Sequence, residues 1–135
     1  MLPFQLLKRK LVKIIETDNA PKAIGTYSQA VKVNGFLFIS GQIPLDPSTM
    51  ELVEGIENQI NQVFENINQI LKADGMDFSN VVKLSVLLDD LSHFEKVNEI
   101  MANIFSKPYP ARAAYEVSKL PKGSLVEIET IAFKE

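Results

Sequence analysis

Two ionisable residues in the last third of the chain, Arg112 and Glu127, stand in stretches that otherwise alternate like β-strands. Read in twos, one face of the first stretch carries Arg112, Ala114 and Glu116, and the other Ala113, Tyr115 and Val117. The second stretch puts Val126, Ile128, Thr130 and Ala132 on one face. Its other face is Leu125, Glu127, Glu129, Ile131 and Phe133. A guanidinium grips a carboxylate through two parallel hydrogen bonds, and a carboxylate can orient a water and take its proton. The pair therefore reads either as an anion-binding arginine beside an acid/base glutamate, or as a structural salt bridge or solvated sheet face. Charges among Leu, Ile and Phe are costly on either reading unless something pairs with them. Tyr27 is a third candidate. It follows a glycine in the irregular loop Ile24-Gly25-Thr26-Tyr27, where its hydroxyl either serves a site or anchors the loop.

Composition removes most other chemistries. The 135 residues suit one domain with a real core. They include no cysteine and one histidine, His93, so thiolate nucleophiles, disulfides, zinc sites and Ser-His-Asp triads have little to build on. His93 falls at a helix start among acids, where a solvated or capping role fits it. Six glycines form neither a P-loop nor a dinucleotide fingerprint, so no cofactor is expected. A net charge of -3 argues against a nucleic-acid surface. No run approaches the roughly 20 apolar residues of a membrane span. The first fifteen residues hold four basic residues and no acid. They read as an extension over residues 1–12 leading into a domain over 13–135. A cytoplasmic location is expected, with organellar targeting by that extension as the alternative.

The elements that must position these residues follow from periodicity. Lys10 to Thr17 reads as a first strand, broken by Asp18-Asn19-Ala20-Pro21. Ser28–Val33 and Phe36–Ser40 flank Asn34-Gly35, a hairpin signal because both turn positions need positive φ. Apolar spacing from Ile56 to Leu71 predicts an amphipathic helix over Glu54–Ala73, closed by Gly75. Val81–Leu88 alternates as a strand, with Val82, Leu84, Val86 and Leu88 on one face. A second helix starts at Ser92-His93-Phe94-Glu95, read as a capping box. Its apolar stripe runs from Phe94 to Phe105, and Pro108 is expected to end it. Two last strands follow, joined by Leu120-Pro121-Lys122-Gly123. The class is α+β: one sheet with two long helices on one face. The other face, with Leu125, Ile131 and Phe133, is left for another subunit, so a homo-oligomer is expected.

Several blocks together resemble the RidA/YjgF family of reactive-intermediate deaminases. They are Ala20-Pro21 with Ile24 to Ala30, Ile39-Ser40-Gly41-Gln42-Ile43-Pro44, Tyr109-Pro110-Ala111-Arg112, Leu120-Pro121-Lys122 and Val126-Glu127-Ile128-Glu129. The likeness runs from about Lys13 to Phe133 with the blocks in family order. It implies a chorismate-mutase-like homotrimer, with sheets facing a central barrel, helices outside and sites in clefts between subunits. It also implies cofactor-independent hydrolysis of 2-aminoacrylate and related enamines, through their imines, to 2-keto acids and ammonia. Such substrates leak from pyridoxal-phosphate enzymes and would otherwise damage them. By that resemblance Arg112 grips the substrate carboxylate, Glu127 handles the attacking water, and Tyr27 lines the site. Ser40 and Gly41 form pocket wall, the backbone of Ala114 binds, and Asn98 takes a further position. Ala114 stands where the family usually has cysteine, and Thr26 where it usually has proline. The alternatives within the same fold are a non-catalytic metabolite-binding regulator or chaperone, and a translation inhibitor or endoribonuclease. Arg112 and Glu127 together favour the enzyme, because a pure binder needs no water-handling glutamate.

Overall fold

The computed structural model describes residues 2–135, the side chains of residues 8–10 excepted. In chain order the main elements are α1 (Pro3–Leu11), β1 (Lys13–Ile15), β2 (Ala30–Val33), β3 (Phe36–Gln42), α2 (Ile56–Ala73), β4 (Val81–Leu88), α3 (Phe94–Ile104), β5 (Ala111–Glu116) and β6 (Val126–Phe133). The strands form one six-stranded sheet in the order β1-β2-β3-β6-β4-β5. All neighbours are antiparallel except β4 and β5, which run parallel with α3 as the crossover between them. The α+β class expected from the sequence is the one found.

Local chemistry explains most boundaries. Asn34 and Gly35 both take positive φ, 49° and 83°, and close the β2–β3 hairpin. At the C-terminus of α2, the Met76 amide donates to the Leu71 carbonyl at 2.9 Å and the Gly75 amide to that of Lys72 at 3.0 Å. This paired closure needs a left-handed residue, and Gly75 supplies it at φ 69°.

Three readings need correction. The first strand is Lys13–Ile15, not Lys10–Thr17, and a helix precedes it. Gln, Leu, Lys and Arg over residues 5–11 are all good helix formers, a preference that outweighs the short alternation at Lys10-Leu11-Val12. The Ser92/Glu95 capping box does not form. Ser92 lies in a tight turn over Leu91–His93 capped by Asp90, whose carboxylate accepts the Ser92 amide at 2.8 Å. In β4 the alternation breaks at its start, where a bulge opposite β6 buries Val81 and turns Val82 to the open face. One unpaired residue shifts the phase by one, which regular alternation cannot anticipate.

α2 and α3 cover one sheet face, while the described side chains of α1 are exposed. Ile60, Val63, Phe64, Ile67, Ile70 and Leu71 of α2 are buried against Leu84, Val86, Val126 and Ile128. Phe64, Phe78 and Phe105 meet edge-to-face, with centroids 5.5–6.3 Å apart. Two buried amides on α2 hold loops in place. Gln59 accepts the Leu125 amide at 2.8 Å and donates to the Val53 carbonyl at 3.0 Å. Asn66 donates to the carbonyls of Ile43 at 3.3 Å and Leu45 at 3.0 Å. Both loops so fixed border the cavity described next. The other sheet face carries Phe36, Phe38, Ile14 and Val82, all more than a third exposed, and Phe36 packs on Phe133 at 4.8 Å. No helix among the described residues is long and apolar enough to cross a membrane.

Candidate functional site

Glu127 projects from β6 on the sheet face that the helices leave open. Its neighbours Val126 and Ile128 are fully buried on the helix side, and it stands opposite Leu87 of β4. On the other side β3 breaks register with β6 between Ile39 and Gln42, so that Ser40 and Gly41 bulge out of the ladder. The Glu127 side chain lies across Gly41. A Cβ built on Gly41 would come within 2.8 Å of its Oε2 and 3.0 Å of its Cδ. Glycine here is a matter of room, not of backbone angle.

The space in front of Glu127 is a cavity of about 440 Å³ lined by Tyr27, Ser40, Gly41, Lys122 and Glu129 among others. Burial, and then the Glu129 carboxylate beside it, push the Glu127 carboxyl above its ordinary value. The Tyr27 ring is half exposed, and its hydroxyl accepts the Ile24 amide at 3.2 Å. That bond anchors the loop and leaves the phenol proton free to donate. The Ser40 hydroxyl donates to the Ser28 carbonyl, so Ser40 contributes wall rather than a free hydroxyl.

Arg112 lies elsewhere. On β5 it pairs with Leu84, a fully buried residue of the helix-covered face. Its guanidinium donates through Nη1 to Asn98 Oδ1, meets Met101 Sδ at 3.5 Å, and sits 4.8 Å from the centre of the Phe94 ring. Phe94, Asn98 and Met101 stand at i, i+4 and i+7 on α3 and form a ready cradle. The guanidinium is paired with no carboxylate among the described residues. A second cavity, of about 390 Å³, opens here between Asn98, Met101, Ala102, Tyr109, Pro110 and Arg112.

Within one chain the seven sequence-derived positions therefore divide. Tyr27, Ser40, Gly41 and Glu127 share one cavity, and Asn98 and Arg112 another. Ala114 lines neither, packing against the core from β5. Arg112 and Glu127 occupy opposite sheet faces and make no ion pair, which removes the structural salt-bridge reading within the chain. Sequence reasoning had missed Phe94 and Met101 as the bed of Arg112, and Lys122 in the Glu127 cavity. The signal for the first was available: Asn98 is a polar residue set between apolar neighbours of one helical stripe.

The contact at Gly41 gives a direct test. Gly41→Ala leaves the backbone permitted but displaces the Glu127 carboxylate, while the buried core is untouched. If Glu127 handles the reacting water, as the family resemblance implies, we expect a folded protein with unchanged melting temperature and a kcat reduced roughly a hundredfold, the order of loss when a reacting group moves by about an ångström. Steady-state kinetics beside a melting curve checks it.

The family model described as Endoribonuclease L-PSP matches residues 17–134. A RutC family protein of Pyrococcus horikoshii is 54% identical over 91% of this chain and 98% of its own length. The human 2-iminobutanoate/2-iminopropanoate deaminase is 51% identical, over 90% of each chain. The crystal structure of RidA from the Antarctic bacterium Psychrobacter sp. PAMC 21119 superposes with a TM-score of 0.88 at 54% identity, covering 90% of this chain and 99% of that one.

Proposed function

The chain belongs to the RidA/YjgF family, the one whose model is described as Endoribonuclease L-PSP, and from that membership we propose that it hydrolyses small 2-imino acids to 2-keto acids and ammonia. The observation that carries this reading is the division of the site residues. An arginine without a carboxylate partner among the described residues lies on one sheet face, and a glutamate held above its usual pKa lies on the other. Each is half of a site for an anionic, water-reactive substrate. A second copy, docked on the open face that carries Phe36, Phe38 and Phe133, would bring the Arg112 cavity of one subunit against the Glu127 cavity of its neighbour. We take the assembly to be a homotrimer with sheets inward, and residues 13–135 to be its repeating domain.

In such a cleft Arg112, steadied by Asn98 and Phe94, holds the substrate carboxylate by two hydrogen bonds. Glu127 orients a water and takes its proton as the oxygen adds to the C=N carbon. The tetrahedral carbinolamine then collapses. The nitrogen leaves as ammonia after receiving a proton, and the carbon becomes the keto carbonyl. Tyr27 can donate to the developing charge. A protonated imine is electrophilic enough that these groups suffice. Enamines enter by tautomerising first, and removal of such reactive species would spare pyridoxal-phosphate enzymes.

A coupled assay tests the proposal. An amino-acid oxidase or dehydratase generates the imine, and keto-acid release is followed with and without this protein. Acceleration well above the spontaneous rate is expected. Release at the spontaneous rate across several small imino acids would refute the reading.

A further inference from the structure

Lys122 takes no part in the chemistry above, yet the chain goes out of its way to place it. Its backbone sits in the left-handed region at φ 58°, a region in which lysine is disfavoured and Asn or Gly is tolerated. The surrounding turn is held from both ends. Leu120 and Ser124 are buried, the Ser124 hydroxyl donates to the Pro121 carbonyl at 2.9 Å, and the Gly123 amide donates to that of Leu120 at 3.2 Å. Just beyond, the Leu125 amide is tied to Gln59 on α2. None of these contacts uses the lysine side chain, so the turn does not account for the residue type. Lys122 itself lines the Glu127 cavity.

The charges around that cavity supply a reason. Glu127 and Glu129 both face it, with the Tyr27 phenol, and Lys122 is the cation in the lining. Two carboxylates repel an approaching carboxylate. Lys122 forms none of the ion pairs found among the described residues, so its ammonium is uncommitted. We propose that Lys122 is a specificity-determining residue that meets the carboxylate of the substrate at the mouth of the Glu127 cavity, opposing the repulsion of Glu127 and Glu129. The inference rests on the imino-acid reading and deepens it. Arg112 fixes the carboxylate in one geometry, and Lys122 selects for anionic ligands as they enter. A charge on a flexible stem suits entry, where a rigid fork suits final registration.

The test uses Lys122→Asn, which keeps a residue tolerated at positive φ, and Lys122→Arg, which keeps the charge. Kinetics on an enzymatically generated imine, calorimetric titration with 2-oxobutanoate, and melting curves are run at low and high sodium chloride. For Lys122→Asn we expect KM to rise roughly twofold to fivefold, the upper part of the range for an exposed charged contact, with a much smaller change in kcat. Affinity for 2-oxobutanoate falls in parallel, and the melting temperature does not drop. Added salt raises KM for the wild type more than for the variant. Lys122→Arg restores most of the loss. Unchanged KM and unchanged 2-oxobutanoate affinity in Lys122→Asn overturn the inference while leaving the deaminase standing. A lower melting temperature with unchanged KM overturns it too, assigning the lysine to the turn. A wild type that hydrolyses no imine yet binds 2-oxobutanoate through Lys122 supports the inference and removes the deaminase reading. If it does neither, both fall.

Discussion

Arg112→Ala should lower kcat/KM for a 2-imino acid by roughly thirtyfold to several-thousandfold. Losing a charge-assisted pair in a partly desolvated cleft costs on the order of 2–5 kcal/mol, and the rate follows exponentially. The fold should survive. Arg112 is exposed on an edge strand, and its local contacts are the Asn98 carbonyl oxygen, a thioether and the face of Phe94. Truncation strands no buried charge, because no carboxylate leans on the guanidinium among the described residues. Arg112→Lys should recover only a small part of the activity, since an ammonium is a point donor and cannot reproduce the planar fork. The measurement is imine hydrolysis beside a melting curve and light scattering. An Ala variant that keeps its fold and assembly yet hydrolyses at the wild-type rate would remove Arg112 from the site.

Glu127→Gln should keep affinity for a keto-acid analogue and lose turnover by about a hundredfold to ten-thousandfold, the usual worth of a positioned general base. The amide preserves the shape of the side chain lying over Gly41 but cannot take a proton. If Glu127 is the base proposed above, it works only when ionised, so activity should be high above its pKa and fall as pH drops through it. Burial and Glu129 both raise that pKa, which moves the acid limb of the profile to higher pH than an ordinary glutamate would give. Glu129→Gln removes the second cause and should move the limb to lower pH, while Glu127→Gln should abolish it. A profile whose acid limb stays where it was in Glu129→Gln would show that another group controls it.

The elements were legible wherever one local force dominated. Val81–Leu88 carries the strand bounds that its alternation suggested, the Asn34-Gly35 turn closes as its two positive φ angles require, and α2 follows its apolar stripe to Gly75. The misses share a cause of another kind. At the start of β4 an inserted residue resets the phase, and before α3 Asp90 caps a tight turn over Leu91–His93 that takes Ser92 into its interior, so α3 starts without a side-chain cap. The candidates Arg112, Glu127 and Tyr27 were individually visible as charged or aromatic side chains in unusual surroundings, while Ser40, Gly41, Asn98 and Ala114 came only from the family resemblance. Their division between two cavities was not visible. It depends on β6 inserting between β3 and β4 while β5 joins the edge in parallel, and such pairings are set by contacts far apart in sequence. Alternation tells which residues share a face of their own strand, but not how the faces of two strands correspond.

If Arg112 of one subunit meets Glu127 of its neighbour in the trimer proposed above, two defective alleles should rescue one another. A subunit that has lost Arg112 still offers an intact Glu127 cavity, and one that has lost Glu127 still offers an intact arginine. Where each cleft draws one half from each neighbour, cells expressing both mutant chains assemble some clefts with both halves sound. For random mixing in equal amounts this is about one cleft in four, since each of two independent halves is sound half the time in a closed ring. A heterozygous lesion at either residue is then recessive in character, disabling one cleft per damaged chain and never poisoning its neighbours outright. Catalysis confined within single subunits would instead show no recovery on mixing, at any ratio of the two alleles.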